Sequence, residues 1–381
     1  MSYLLSIIIP TKNRYNTLLP VLDYLLTLDA ENIEIVVQDN SDDNSEILNY
    51  LKTNNQNNLS YLYSTESLSQ TGNSDKAVLS SHGKYICFIG DDDGVMPYVL
   101  EVTKWMRDQG IEALKGYKPF YVWPGLPTSI LDPEMTTGNV KYKRFSYEIK
   151  SHNAKKGLRH LLKKGGTNID RLPCLYHGIV SRKVLDKIYE KTNSYFPGPS
   201  PDMANATALS IHLDQYTYVD FPVVISGRSL SSIAGQGVLH KHVSRIEDVG
   251  HLPKNTSKEW EERIPRFWTG ETIWAESAIK SLKANGESGK LIRFNFKYMY
   301  AKIYVFHFGL RKKIFADFPF KFHGVTFYFS FLYQLFLRFY RLFATRILKK
   351  DAIVQQNIKT IGDAANMLHD NVELKKLPFR V

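Results

Sequence analysis

Four short apolar runs recur through the first 90 positions, and each stops at a polar cluster. They read "LLSIIIP", "IEIVVQD", "LSYLYS" and "KYICFIG". Continuous apolar runs rich in β-branched residues suit strands buried on both faces, as in a parallel sheet. Segments with helical spacing separate them: residues 16–29, about 43–54, the stretch "SLSQTGNSDKAVLSSHG", and 97–109 after the last run. Pro20 falls early in the first, where a first turn tolerates it, and the "SDDNS" cluster caps the second. This alternation predicts an α/β fold, a Rossmann-like, mostly parallel sheet flanked by helices. In such sheets ligands bind beyond the carboxyl ends of the strands. Residues 10–14, 39–40 and 91–93 each lie just past such an end. The layout alone therefore gathers three polar clusters in one crevice.

At 381 residues the chain predicts two domains, or one large domain with an extension. Hydrophobic residues at 43% and charged residues at 23% allow a sizeable core. Cys87 and Cys174 cannot make a disulfide framework and form no C-x-x-C pair. Cys87, inside "ICFI", reads as a buried thiol, and both fit a reducing compartment. The start lacks a basic n-region and a cleavage-type signal, and no apolar run is long enough to span a bilayer. The expected location is the cytoplasm, with attachment at the inner face of the cell membrane as a further expectation. Residues 111–145, rich in Tyr, Trp, Pro and Gly, read as irregular strands and loops.

The last run ends in Asp91, Asp92 and Asp93. Adjacent like charges repel, and Asp is a poor strand or helix former. Three together become favourable if a divalent cation sits among them, since Mg²⁺ and Mn²⁺ prefer carboxylate and phosphate oxygens. The other reading is a solvated acidic turn. A strand end in a sheet crevice favours the cation.

"SIIIPTKNRY", "IEIVVQDNSDDNS" and "GKYICFIGDDDGVMP", in that order and spacing, resemble the three hallmark segments of GT-A-fold glycosyltransferases of family 2. The resemblance covers about the first 110 residues, and weakly extends to about residue 230. It implies a nucleotide-sugar donor contacted by Pro10, Thr11 and Arg14, with Asp39 accepting a hydrogen bond from the base, usually uracil. Asn73 and Lys76 fall where the family lines the nucleotide pocket. Asp91 would lie near the ribose, Asp92 would bind the metal, and Asp93 would sit beside the metal or donor sugar. The implied cofactor is Mn²⁺ or Mg²⁺. Two departures stand out: Gly90 replaces a common acid, leaving open which carboxylate is the ligand, and "QTGNSDKAV" replaces a more usual Asn-x-Gly pattern.

In "PGPSPDMANATAL", Asp202 matches the family's general base, with Pro201 in place of the usual acid. A Pro-Asp pair before an Ala-rich stretch also suits a helix cap. His240 and His242, in "GQGVLHKH", could supply a further metal or phosphate ligand; two ordinary surface histidines is the stronger reading, since no third ligand is evident. Arg228 and Lys241 are candidate diphosphate contacts. The implied organisation is a GT-A catalytic domain over 1–240, with the nucleotide sugar on 1–110 and the acceptor on 111–240. Residues 241–381 form a helical, basic-aromatic extension. The acceptor implied is a surface glycan or a lipid-linked glycan, and the chemistry an inverting displacement.

That extension concentrates the chain's net charge of +11. Residues 301–350 hold ten Lys/Arg against one acid, Asp317, together with 16 Phe/Tyr. Phe336, Tyr340, Phe343 and Ile347 recur on one helical face, and Arg338, Arg341 and Lys349 lie broadly opposite. A basic amphipathic helix can lie at an anionic membrane surface. The alternative is packing against the catalytic domain or another subunit, giving a homo-oligomer. No nucleic-acid motif is present. Two rival functions are a sugar nucleotidyltransferase, which would want a Gly-rich loop where "PTKNRYN" has none, and an inactive scaffold held at the membrane, against which the retained carboxylates argue.

Overall fold

The computed structural model describes residues 3–54, 56–127, 136–230, 232, 243–312, 324–346 and 352–379. The first half of the chain alternates as its apolar periodicity requires. Strands β1 (Leu5–Thr11), β2 (Ile33–Asp39), β3 (Leu59–Tyr63) and β4 (Tyr85–Phe88) are separated by helices α1 (Tyr15–Leu25), α2 (Ser45–Leu51) and α3 (Gln70–Leu79). Next come β5 (Gly94–Val95), α4 (Val99–Asp108), β6 (Ala113–Tyr117), β7 (Phe120–Val122), β8 (Val140–Lys143) and β9 (Ile149–Asn153). Then follow α5 (Ala154–Lys163), β10 (Gly178–Ser181), α6 (Arg182–Thr192), α7 (Pro201–His212), β11 (Gln215–Pro222) and β12 (Val224–Arg228). The last part contains β13 (Ser244–Arg245), β14 (Phe267–Trp268), α8 (Gly270–Ala284), α9 (Phe296–Phe306), α10 (Val325–Arg346), β15 (Ala352–Gln355) and α11 (Ile361–Asp370).

Eight strands form the main sheet in the order β3-β2-β1-β4-β10-β6-β11-β9. Its first four strands are parallel, as is the β6–β11 pair. Strand β10 runs antiparallel to both β4 and β6, and β9 antiparallel to β11. The sheet is thus mixed, less parallel than the apolar runs predict. An antiparallel neighbour needs no crossover helix. β10 is entered from a loop, which brings Tyr176 beside Phe88 at the end of β4.

Side-chain alternation along the strands fills two cores. Ile7, Ile9, Ile35, Val37 and Cys87 face one layer, with α1, α4 and α11. Ile8, Val36, Ile86 and Phe88 face the other, with α6 and residues of α3 and α7. The period of two is what a strand covered on both faces dictates. Each fully buried Ile contributes about 1.5–3 kcal/mol. Both cysteines are buried and free.

A second sheet, β15-β8-β7-β12-β5, lies beyond the aspartate triplet. Its edge strand comes from residues 352–355, so the chain returns from its far end to the first core. A third core joins α5, α8 and α9 to parts of α7 and α10. No described helix is long and apolar enough to cross a membrane.

Candidate active site

The crevice is assembled from strand ends. β1 and β4 are neighbours in parallel register, so the residues that follow them meet. Thr11 Oγ1 donates to Asp91 Oδ2 at 2.6 Å, and Arg14 Nε donates to the same oxygen at 2.9 Å. The Arg14 guanidinium also ion-pairs with Asp91 Oδ1. Burial pushes the Asp91 carboxyl up to about 6 against the pull of Arg14. Arg14 in turn is held above its ordinary value: burial lowers it, but Asp91 and Asp92 outweigh that.

The triplet is 0%, 3% and 1% exposed, which removes the solvated-turn reading. Asp92 Oδ2 accepts from the Ser229 amide at 3.0 Å and the Ser229 hydroxyl at 2.6 Å. Its other oxygen, Oδ1, takes no hydrogen bond from a described residue. Burial, then the charge of Asp93, push Asp92 up. Asp93 is held low despite burial, chiefly by His177. Its Oδ2 accepts from the Gly90 amide at 2.7 Å and Tyr176 Oη at 3.1 Å, and meets His177 Nε2 at 2.7 Å. Its Oδ1 accepts from the Gly227 amide at 2.8 Å. Gly227 has to be glycine: a Cβ there would lie 1.6 Å from the Asp92 carbonyl oxygen. A glycine closing the apolar run "VVIS" was the one sequence sign of this close approach.

Asp39 is turned inward. Its Oδ2 accepts from Tyr15 at 2.5 Å and Tyr61 at 2.8 Å, and its Oδ1 from the Ser41 amide at 2.8 Å. Asn73 ties the ends of β1 and β2 together, donating from Nδ2 to the carbonyls of Thr11 and Gln38. That fixes which atom is the oxygen, and Asn73 Oδ1 is buried without a partner among the described residues. Lys76 pairs at 2.5 Å with Glu66 near the end of β3. Pro10 pairs in register with Gln38. His240, His242 and Lys241 lie outside the described residues.

Asp202 sits in the first turn of α7. Its Oδ1 accepts from the Met203 amide at 2.7 Å and from Ser200 Oγ. Its Oδ2 accepts from Trp274 Nε1 at 2.9 Å. Cap-like contacts on one oxygen and a contact from α8 on the other therefore coexist on one side chain. Lys118 links this residue to the triplet. Its Nζ lies 3.1 Å from His177 Nδ1. Burial lowers its pKa, Lys115 adds to this, and Cys174, Asp93 and Asp202 oppose it. With Lys118 donating, His177 Nδ1 accepts and Nε2 carries the proton to Asp93. His177 holds φ of 61°, the left-handed region, a strain concentrated at functional sites. Lys118, Tyr176, His177, Ser229 and Trp274 were not evident from sequence, because strand order and helix packing, not spacing, bring them together.

Among the described residues no group of three or more His, Cys, Asp or Glu is arranged to hold a metal ion. Both oxygens of Asp93 are taken by protein donors. Asp92 Oδ1 remains, and one carboxylate with substrate phosphates is a common mode for Mg²⁺.

Residues 6–113 match the family described as Glycosyl transferase family 2. No curated protein matches the chain. Among solved structures, the chain is similar to S. aureus TarS 1-349 in complex with UDP-GlcNAc, at 13% identity over 82% of this chain and 89% of that one, TM-score 0.47. It is also similar to the mannosyltransferase PcManGT from Pyrobaculum calidifontis in complex with GDP-Man and Mn²⁺, at 14% identity over 92% and 89%, TM-score 0.41. The segment that builds the strand-end crevice, residues 6–113, is thus the part of this chain that matches the glycosyltransferases of family 2.

Proposed function

We propose that the crevice transfers a sugar from a nucleoside-diphosphate donor, UDP-linked, to a hydroxyl of a surface-glycan or lipid-linked acceptor, with inversion. The observation that carries this is the meeting of Thr11 and Arg14 with Asp91, the first of three buried aspartates at the strand ends. Arg14 holds Asp91 from two nitrogens and has its third, Nη1, for a phosphate oxygen.

The acceptor hydroxyl passes its proton to Asp202 as its oxygen attacks the anomeric carbon from the face opposite the diphosphate. The carbon–oxygen bond to the diphosphate breaks, and its electron pair leaves with the nucleotide. Arg14 and Lys118 offset the growing charge. Asp92 is the residue that would hold Mg²⁺ or Mn²⁺, and the ion would supply further positive charge to the diphosphate.

The test combines binding and turnover. UDP at a hundred times Kd stabilises the folded protein by about 2.7 kcal/mol, read as a rise in Tm. Asp202→Asn keeps that rise and loses 10²-fold or more of transfer. A chain whose Tm no nucleoside diphosphate moves, with or without Mn²⁺, or an Asp202→Asn variant of full activity, rejects the reading.

A further inference from the structure

Helix α10 carries an apolar face that no described residue covers. Tyr328, Phe329, Leu332, Phe336, Phe339 and Phe343 are between 50% and 67% exposed. They recur at helical spacing and fall on one side. The opposite side, through Phe327 and Gln334, is 5% and 1% exposed and packs toward α9. With 22 residues the helix is about 33 Å long.

The surroundings of this face are cationic throughout. Residues 288–312 and 324–346 contain nine Lys/Arg and no Asp or Glu. Lys164 Nζ lies 4.5 Å from the ring centres of Tyr298 and Tyr333. Lys297 donates to Thr326 Oγ1 at 2.9 Å, at the start of the helix. Arg338 donates to the Val305 carbonyl, and Arg311 stacks on Phe308. Lys164, Lys297, Arg311 and Arg338 pair with no described acid. Lys and Arg bury their stems on apolar surface and keep the charge in water.

We infer that α10 docks in the plane of an anionic lipid surface, with its aromatic face in the acyl boundary and these cations at the headgroups. Two features favour lipid over a second copy of the chain. A symmetric pair would bring two sets of unneutralised Lys and Arg together, at a cost in repulsion. A helix pairing with itself also wants charges of both signs beside its apolar seam; Tyr333 and Tyr340 stand there instead. Tyrosine is enriched where one end is apolar and the other wet, as at the membrane interface. The inference goes beyond the sugar-transfer reading and does not depend on it.

Co-sedimentation of the full chain with vesicles tests it. Equimolar phosphatidylglycerol and phosphatidylcholine should bind at least tenfold more protein than phosphatidylcholine alone, and 0.5 M NaCl should remove most of that preference. Phe329→Glu with Phe336→Glu should lose binding at least tenfold at unchanged Tm, since both side chains are exposed. Lys297→Gln with Arg311→Gln should reduce the preference for the anionic vesicles severalfold. No partition into phosphatidylglycerol vesicles overturns the proposal. So does equal, salt-insensitive binding to phosphatidylcholine. A lipid-free dimer that Phe336→Glu dissociates, and that ignores vesicles, assigns the face to a second copy instead.

Discussion

Lys118 is the cation whose removal tests the crevice most directly. It is half-buried, its hydrogen-bond partner is the ring of His177, and the charges of Asp93 and Asp202 oppose the burial that lowers its pKa. Lys118→Met leaves that ring nitrogen without its donor and removes the positive charge beside the His177–Asp93 pair. The expected loss is about 10–100-fold in kcat, or roughly 1.5–3 kcal/mol of transition-state stabilisation. KM for the donor and the UDP-induced rise in Tm should stay within about twofold. A variant with normal kcat would make Lys118 a packing residue. At this scale the sequence was half legible. The triplet, Thr11 and Arg14 lie at strand ends that apolar periodicity alone locates. Lys118 and His177 lie 59 residues apart and meet only because β10 runs antiparallel beside β6. No local pattern encodes that reversal.

Helix α8 is the element that props the catalytic end of α7. Trp274 reaches Asp202, Ser277 Oγ accepts from the Ser200 amide at 2.9 Å, and Ser281 Oγ donates to the Ala204 carbonyl at 2.8 Å. The same helix buries Glu276 completely. Its Oε2 accepts from the Glu261 amide at 3.1 Å, and Lys280 stands 3.9 Å from Oε1. Burial pushes Glu276 from its ordinary 4.5 up to about 7, ahead of the opposing amide and Lys280. The folded state therefore binds this proton more tightly than the unfolded chain does. Its contribution is fully present below about pH 4.5 and is lost as pH rises to about 7. Glu276→Gln keeps an acceptor for the amide and carries no charge. It should be more stable than the parent at pH 8, by up to about 3 kcal/mol, and the advantage should vanish near pH 4.5. Denaturation midpoints at the two pH values decide it; an equal difference at both would show that ionisation is not the cause. The sequence signalled helices in this region through periodicity. It could not show that one of them braces Asp202, because helix–helix pairing depends on packing across distant segments.

Across the whole molecule, the far end of the chain closes the near one. Residues 241–381 read as an extension, since their composition differs so sharply from the sheet-forming half. Yet Ile361, Ala364, Ala365 and Leu368 of α11 are fully buried with Leu18, Leu22 and Ile7 in the first core. Ile361 presses on β5, where a Cβ at Gly94, the residue after Asp93, would lie 2.6 Å from its Cγ1. Tyr24 of α1, which lies against Gly362 of α11, donates to the Val95 carbonyl. The strand that follows the acidic loop is thus clamped by α1 and α11 together. A strand of four residues and a helix of ten give too weak a periodic signal to announce where they dock. Ile361→Ala opens a cavity in that clamp and should destabilise the protein by about 2–4 kcal/mol. Because the clamp joins both ends of the chain, the loss should appear in the main unfolding transition, with UDP affinity weakened alongside it. If residues 352–379 were a separate appendage, the same substitution would shift only a minor, early transition. Denaturant unfolding followed by tryptophan fluorescence and by UDP binding separates the two outcomes.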